Sequence, residues 1–245
     1  MTGPTGLHPR SVTPGIENQP GQSKVHPNGI YCRLDWIRFT GPDHDFDRVA
    51  AFLDQRFGPS TGSNGGAVFF KQGLLWDPGV MLSSGHKAGI LMLDIQGQRL
   101  STLSGLDGIQ LMRDIAAMHM KATRLDGAID FIGQDVRLYE HALLSCQRNE
   151  LCGPRTYSPD PEYRADGTVT RLLLKLGKRG SSVCVRIYDK GLETKAADLS
   201  RWERLETEFK GSRAQSVEQA LYHAADPISK LASRVVGAFD FRISN

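Results

Sequence analysis

The segments that decide the fold are TRLLLKL (Thr170–Leu176) and SVCVRIYDK (Ser182–Lys190), with GKRG (Gly177–Gly180) between them. Polar and apolar residues alternate along both segments, as they do in strands that bury one face. A short glycine-rich connection is typical of a hairpin turn. The sequence therefore predicts an antiparallel β-hairpin, and the rest of the fold is read outward from it.

The second strand of this hairpin carries a chemically unusual face. Alternation places Arg186, Tyr188 and Lys190 on one side and Val185 and Ile187 on the other. Cationic side chains two residues before and two residues after a tyrosine allow a phosphate to approach its phenol. Such nearby cations also favour the phenolate. We therefore predict that Tyr188 is a nucleophile for a phosphodiester, with Arg186 and Lys190 as its cationic neighbours.

The same patterns predict further strands and helices along the chain. The predicted strands are Tyr31–Thr40, Val68–Lys71, Val80–Ser83, Ile90–Ile95, Thr123–Phe131, Trp202–Lys210 and Ala238–Ile243. The predicted helices cover 45–57, Leu106–Met120, Gln134–Arg148 and two segments after Lys210 that are split before Pro227. Hairpins dominate over strict alternation of strands and helices. We therefore predict an α+β fold, with a central, mainly antiparallel sheet and helices packed on one face.

Length and composition suit one folded domain. The chain has 245 residues, of which 40% are hydrophobic and 23% charged, with a formal net charge of +3. Residues 1–29 are rich in Pro, Gly, Ser and Asn, which predicts a disordered leader before a folded domain at 30–245. The chain ends at Asn245 directly after a strand-like segment, as a C-terminally truncated protein would.

Other features of the sequence exclude several classes of protein. No apolar run approaches the length of a membrane span or forms a signal-peptide core, so we expect a cytoplasmic protein with no membrane partner. The four cysteines match no zinc spacing and are expected to be reduced thiols. No Walker-type or His-x-His motif is present, which disfavours nucleotide hydrolysis and a histidine metal site.

Two further strands combine acids and cations on one face. The acids are Asp126 and Asp130 in Thr123–Phe131, and Glu206 and Glu208 in Trp202–Lys210. Carboxylates from neighbouring strands can hold Mg²⁺ or Mn²⁺ through oxygen ligands, so we predict these four acids as metal ligands. Two structural alternatives remain open. Glu208 can instead pair with Lys210, and Asp130 can cap the segment that follows it.

Basic residues cluster in and around the same strands. The predicted DNA-binding residues are Arg124, Arg171, Lys175, Lys178, Arg179, Arg204 and Lys210. Between Arg171 and Lys190, Asp189 is the only acid, so one surface is expected to be far more positive than the chain as a whole. Such a surface favours phosphate contacts, which position a nucleic acid without reading its sequence.

These motifs together resemble a known family. DWIRFT (35–40), TRLDGAID (123–130), VRIYDKGLE (185–193) and WERLETEFK (202–210) are similar to motifs of the replication initiation factors of rolling-circle plasmids and filamentous phages (Rep_trans). The resemblance covers about residues 30–243. One departure is Phe131, which stands where the family pattern continues with a third acid.

The resemblance implies an α+β nicking domain that depends on Mg²⁺ or Mn²⁺. In such an enzyme Tyr188 attacks origin DNA, single-stranded or cruciform, becomes joined to the 5′ phosphate and leaves a 3′ hydroxyl for synthesis. Asp126 and Glu206 are then the leading metal ligands, and Lys190 is the cationic neighbour of the nucleophile. A host helicase, a host DNA polymerase and a second copy of the chain are the implied partners.

Three other interpretations compete with this one. The chain could be a DNA-binding regulator that kept the fold and lost cleavage. It could also be a tyrosine relaxase or transposase of related fold, which uses the same chemistry at another DNA site. In the third interpretation Tyr188 is only structural.

Overall fold

A computed structural model describes residues 28–63, 66–178, 180–194 and 201–241. Nearly all of the predicted leader, and the predicted DNA-binding residue Arg179, lie outside the described residues. The first strand begins at Gly29, next to the predicted start of the folded domain.

The described part of the chain contains one large sheet and two small ones. Its strands are β1 (Gly29–Pro42), β2 (Thr61–Ser63), β3 (Gln72–Trp76), β4 (Val80–Ser84), β5 (Ile90–Gln96), β6 (Lys121–Ile132), β7 (Leu151–Cys152), β8 (Tyr157–Pro159), β9 (Glu162–Tyr163), β10 (Val169–Arg171), β11 (Leu173–Leu176), β12 (Val183–Asp189), β13 (Trp202–Lys210) and β14 (Asp240–Phe241). The large sheet has ten strands in the order β2-β3-β4-β5-β1-β6-β13-β12-β11-β8. All neighbouring strands in it are antiparallel.

The helices complete a two-layer α+β architecture. They are α1 (Phe46–Phe57), α2 (Gly97–Leu100), α3 (Gly105–Ala116), α4 (Leu138–Gln147), α5 (Lys190–Thr194), α6 (Ser212–Tyr222) and α7 (Pro227–Val236), with a 3₁₀ turn at Asp43–Asp45. The predicted fold class is therefore confirmed.

The core lies between the sheet and the longer helices. Leu125 of β6, Ile187 of β12 and Leu205 of β13 are buried in one cluster with Ile115 of α3 and Leu231 of α7. Alternation along the strands sends every second side chain into this cluster, and burial of its apolar surface is the main stabilising term. The remaining side chains of the central strands lie on the other side of the sheet, which we call the open face.

Close packing fixes α7 against the middle of the sheet. A Cβ atom on Gly127 of β6 would lie 2.6 Å from Val235 Cγ2 and 2.8 Å from Leu231 Cδ1. The hydroxyl of Thr207 donates to the backbone oxygen of Val235 at 3.1 Å. Glycine is thus required at position 127 by the close approach of the helix, not by a turn.

Several predicted elements were wrong in extent. Val68–Lys71 is not a strand, because Phe69 has φ +76°, and the strand forms at Gln72–Trp76 instead. The predicted strand Thr170–Leu176 is divided, since Val169–Arg171 pairs with β9 and only Leu173–Leu176 pairs with β12.

Helix ends also differ from the prediction. The helix α3 ends at Ala116, short of the predicted Met120, because the chain then turns and His119 takes φ +61°. The helix α4 begins at Leu138, four residues after the predicted start. A carboxylate oxygen of Glu203 accepts hydrogen bonds from the amides of Leu138 and Tyr139, which fixes that start from the neighbouring strand.

Candidate active site on the open face of the sheet

The three chemically unusual strands of the sequence are adjacent in the sheet, in the order β6-β13-β12. Their register places Glu208 opposite Asp126, and Glu206 opposite Arg186. Because partners in register lie on the same side of a sheet, these side chains meet on the open face. The structure thus brings together Asp126, Glu206, Glu208, Arg186 and, one pair further along, Tyr188.

Three carboxylates converge on one nitrogen atom of Arg186. Its Nη2 lies 2.6 Å from Glu206 Oε1, 3.1 Å from Asp126 Oδ2 and 3.4 Å from Glu208 Oε2. The acids are almost fully buried, whereas the Arg186 side chain is 28% exposed. The positive charge of Arg186 is therefore surrounded by carboxylate oxygens from two strands.

Two more cations complete the cluster. Arg124 Nε donates to Asp126 Oδ1 at 2.9 Å, and its Nη2 lies 3.2 Å from Glu208 Oε2. Lys210 forms an ion pair with Glu208, as the structural alternative for that acid predicted. We name these six residues the acid–base cluster: Asp126, Glu206, Glu208, Arg124, Arg186 and Lys210. Three negative and three positive groups balance within it.

The donor set suits a hard divalent cation once Arg186 is displaced. Mg²⁺ and Mn²⁺ prefer carboxylate oxygens, and the three acids supply them at one point. Within the described residues, no group of three acidic, histidine or cysteine side chains is arranged to hold a metal as it stands. The Arg186 guanidinium lies among these oxygens, at 2.6–3.4 Å from the three carboxylates.

Burial alters the protonation of Asp126. Removal from water is the largest effect; with the opposing effect of Arg124 and the smaller rise from Glu206 and Glu208, it leaves the pKa of Asp126 raised to about 7. The ionised form of this buried acid therefore depends on the positive charge beside it.

Tyr188 is linked directly to the acid–base cluster. Its hydroxyl donates to Glu206 Oε2 at 3.0 Å, while Glu206 Oε1 faces Arg186. Glu206 thus contacts the phenol of Tyr188 through one oxygen and the guanidinium of Arg186 through the other. A change of charge at the position of the Arg186 guanidinium is therefore transmitted to the phenol through Glu206.

The prediction that Arg186 and Lys190 favour the phenolate of Tyr188 is wrong for this arrangement of side chains. Burial raises the pKa of Tyr188 above its usual range, and the carboxylate of Glu206 adds to the rise. Arg186 is directed at the acids, and Lys190, whose Nζ lies 5.6 Å from the Tyr188 ring centroid, is paired with Glu193. Neither flanking cation therefore acts on the phenol oxygen, and the neutral phenol is favoured.

Asp130 belongs to a separate network, which corrects its predicted place beside the other acids. It accepts from Arg204 Nε at 2.7 Å and Trp202 Nε1 at 2.7 Å, and pairs with Arg33 at 2.9 Å. Burial opposes its ionisation, but Arg204 and then Arg33 outweigh that effect and hold the pKa of Asp130 below its usual range. Asp126 is four residues away, about 13 Å along an extended strand, so one ion cannot bind both.

The same network corrects the predicted role of Arg204. Its side chain is only 3% exposed, and its Nη1 donates to Asp35 at 2.9 Å in addition to the contacts with Asp130. A phosphate does not reach a guanidinium that is buried and saturated in this way. Arg204 instead holds β13 to its neighbours.

Most of the other predicted DNA-binding residues are also neutralised within the protein. Arg171 pairs with Asp160 and Glu162, and Lys175 pairs with Asp160 at 3.1 Å. Arg124 and Lys210 belong to the acid–base cluster. Lys178, at the hairpin turn, is exposed and takes part in no ion pair among the described residues.

Sequence reasoning missed several residues of the open face. Asp94 accepts hydrogen bonds from Trp36 Nε1 at 2.9 Å and from Arg38 Nε at 2.8 Å. The signal was its position as the only acid in the apolar segment Ile90–Gln96. Arg33 had no such signal, because a register shift between Leu34 and Trp36 changes which residues of β1 face the acids.

The fold and this site together define an α+β domain with a tyrosine beside a buried acid–base cluster. The family model described as replication initiation factor matches residues 120–243, just over half of the chain, from near the start of β6 to beyond β14. The chain therefore belongs to the replication initiation factor family, and the resemblance read from its motifs is confirmed.

A solved structure shares the fold of this chain. The fold is similar to that of a rolling-circle replication initiator protein from Geobacillus stearothermophilus, with a TM-score of 0.73 and 18% sequence identity. The match covers 89% of this chain and 88% of that one. No curated protein matches the sequence. Among the described residues, no helix is long and apolar enough to cross a membrane.

Proposed function

We propose that this protein initiates rolling-circle replication by cutting one strand of origin DNA, with Tyr188 as the nucleophile. The observation that carries the proposal is the hydrogen bond of 3.0 Å from the Tyr188 hydroxyl to Glu206, a member of the acid–base cluster. Membership of the replication initiation factor family and the fold shared with a rolling-circle initiator support it.

The proposed step is a transesterification. The phenol oxygen of Tyr188 attacks phosphorus, a new oxygen–phosphorus bond forms, and the bond from phosphorus to the 3′ oxygen breaks. The products are a 5′ phosphate joined to Tyr188 and a free 3′ hydroxyl. Glu206 Oε2 is placed to accept the phenolic proton, and the departing 3′ oxygen gains a proton, so charge and atoms balance.

Asp126, Glu206 and Glu208 are the residues that would hold Mg²⁺ or Mn²⁺. When bound, the ion supplies positive charge that favours the phenolate and stabilises the developing charge on phosphate oxygens. Asp130 is not part of this set, because Arg204, Arg33 and Trp202 occupy its oxygens.

Arg186 has two positions in this proposal. In the structure it neutralises the three carboxylates, and if an ion took that place its guanidinium could turn toward the scissile phosphate, since its side chain is 28% exposed. Lys190, whose Nζ lies over the Tyr188 ring at 5.6 Å from its centroid, is the second cation that can contact that phosphate. Both residues would then stabilise charge that develops during the reaction.

The experiment is a search for covalent adducts. Single-stranded oligonucleotides that tile the replicon are incubated with the protein and Mn²⁺, Mg²⁺ or EDTA, and separated on denaturing gels. We expect a metal-dependent adduct with the wild type and with Tyr157→Phe, whose tyrosine is exposed and lies on β8 at the edge of the sheet. Tyr188→Phe should give none. An adduct that survives Tyr188→Phe would contradict the choice of nucleophile.

One observation favours a second candidate function, that of a DNA-binding regulator without cleavage. Tyr188 is 8% exposed and the acids beside it are fully neutralised by cations. Binding to origin DNA with no adduct on any oligonucleotide would support this alternative.

The wider partners follow from the proposed reaction. A free 3′ hydroxyl in a cut origin needs a helicase to unwind the duplex and a polymerase to extend the strand, and both would come from the host. A homodimer and a cytoplasmic location remain predictions.

A further inference from the structure

A basic groove lies on the helix side of the sheet, away from the acid–base cluster. Its volume is about 920 Å³, within the range of about 300–1,000 Å³ typical of ligand sites. Its walls come from the loop after β7, the β11–β12 turn, and helices α6 and α7. Its floor is apolar and includes Val185 and Phe209.

The charge of the groove is of one sign. Five cations line it, namely Arg155, Lys178, Arg213, Lys230 and Arg234, and no acidic side chain is among the described residues of its lining. All five are exposed. The nearby carboxylate of Asp226 is engaged in capping α7, where it accepts from the amides of Ile228 and Ser229 at 3.1 Å.

These cations differ in their pairing from those of the open face. Within the described residues, none of the five takes part in an ion pair, whereas Arg124, Arg186 and Arg204 are each paired with at least two carboxylates. Like charges brought close together repel one another in the free protein. A polyanion would relieve this repulsion, which a neutral or cationic ligand would not.

The N-terminal end of α6 lies beside the groove. This helix begins at Ser212 after Gly211 without a side-chain cap, and Arg213 and Ser216 of its first turns line the groove. Uncapped amides at a helix start, and the helix dipole, favour an anion. Lys230 and Arg234 lie four residues apart on α7 and therefore project on the same side of that helix.

We infer that this groove binds the phosphate backbone of a DNA strand that flanks the cleavage site. Five cations on four separate elements form a track, which fits a chain of phosphates better than a single one. The inference deepens the proposed function, on which it rests for the choice of DNA as ligand. The strand β12 connects the two sites, since Val183 lines the groove and Tyr188 lies five residues, about 17 Å, further along.

The test compares two triple variants of equal charge. The groove variant is Arg213→Gln with Lys230→Gln and Arg234→Gln. The control is Arg56→Gln with Lys87→Gln and Lys121→Gln, three exposed cations of α1, the β4–β5 turn and the start of β6. Binding of fluorescein-labelled 30-nucleotide single strands and 30-base-pair duplexes is measured by anisotropy from 0.05 to 0.3 M NaCl, with circular dichroism to verify folding.

We expect the groove variant to lose roughly 100-fold in affinity near 0.15 M salt, and the slope of log affinity against log salt to fall by about 2–3, since each phosphate contact contributes about 0.7–0.9. The control should keep wild-type affinity to within a few-fold. Equal losses in both variants, or no loss in the groove variant, would overturn the inference. Failure of the proposed function is separate, since it would show as the absence of a covalent adduct in the wild type while groove-dependent binding persists.

Discussion

Replacement of Arg186 by glutamine should increase the affinity of the protein for Mn²⁺. In the wild type an entering ion must displace a guanidinium that contacts Glu206 at 2.6 Å and Asp126 at 3.1 Å. Loss of the strongest such contact, a charge-assisted hydrogen bond, costs about 2–3 kcal/mol. This corresponds to an affinity gain of roughly 30- to 150-fold for Arg186→Gln.

The same substitution should make stability depend on the ion. Without Arg186 the acid–base cluster has one uncompensated negative charge, and we expect a loss of about 2–3 kcal/mol in the free energy of unfolding, less than for a fully buried pair because the side chain is 28% exposed. Mn²⁺ at 100 times its dissociation constant should restore about 2.7 kcal/mol.

The assay is titration calorimetry with Mn²⁺, combined with thermal unfolding with and without the ion. The matched control is Arg33→Gln, since Arg33 is also 28% exposed on the open face but pairs with Asp130. Folded Arg186→Gln protein that binds Mn²⁺ no tighter than the wild type would refute the reasoning. So would an equal gain in Arg33→Gln.

Three further predictions concern the framework of the site. Gly127→Ala should cost about 1–3 kcal/mol in urea unfolding, because its Cβ would overlap Val235 and Leu231, and Gly62→Ala, with open space around it, should cost far less. Glu203→Gln should weaken the start of α4 and lower the unfolding free energy by about 1–2 kcal/mol; an unchanged midpoint would contradict this. The pKa of Asp130 is lowered in the folded protein, so its stabilising effect is present above its unfolded pKa of about 3.9 and is lost as pH falls through the lower folded pKa. Acid unfolding of Asp130→Asn should therefore be less steep below about pH 4, and a curve parallel to the wild type would argue against the assignment.

Strong local patterns predicted several elements correctly. Trp202–Lys210 was predicted with its observed ends, because Leu205 and Phe209 alternate with the charged residues Arg204, Glu206 and Glu208. The helix at 45–57 was predicted within one residue from its apolar spacing. Alternation also placed Asp126, Glu206, Glu208 and Arg186 on one face, and that placement is what forms the acid–base cluster.

Features that depend on distant partners could not be predicted in this way. The pairing of Arg33 with Asp130 joins residues 97 positions apart through the β1–β6 register and its shift near Asp35. The neutral state of Tyr188 depends on where Arg186 and Lys190 point, and a linear pattern contains no information on rotamers. The five groove cations come from four separate elements, and no sequence motif links them.

The most direct test of the central claim is to identify the residue joined to DNA. Protein and an origin oligonucleotide are incubated with Mn²⁺, the adduct is digested with protease and nuclease, and the modified peptide is sequenced by mass spectrometry. We predict a phosphate-linked nucleotide on Tyr188 and a free 3′ hydroxyl on the released strand. A nucleotide on any other residue, or cleavage without any covalent peptide, would contradict the proposed mechanism.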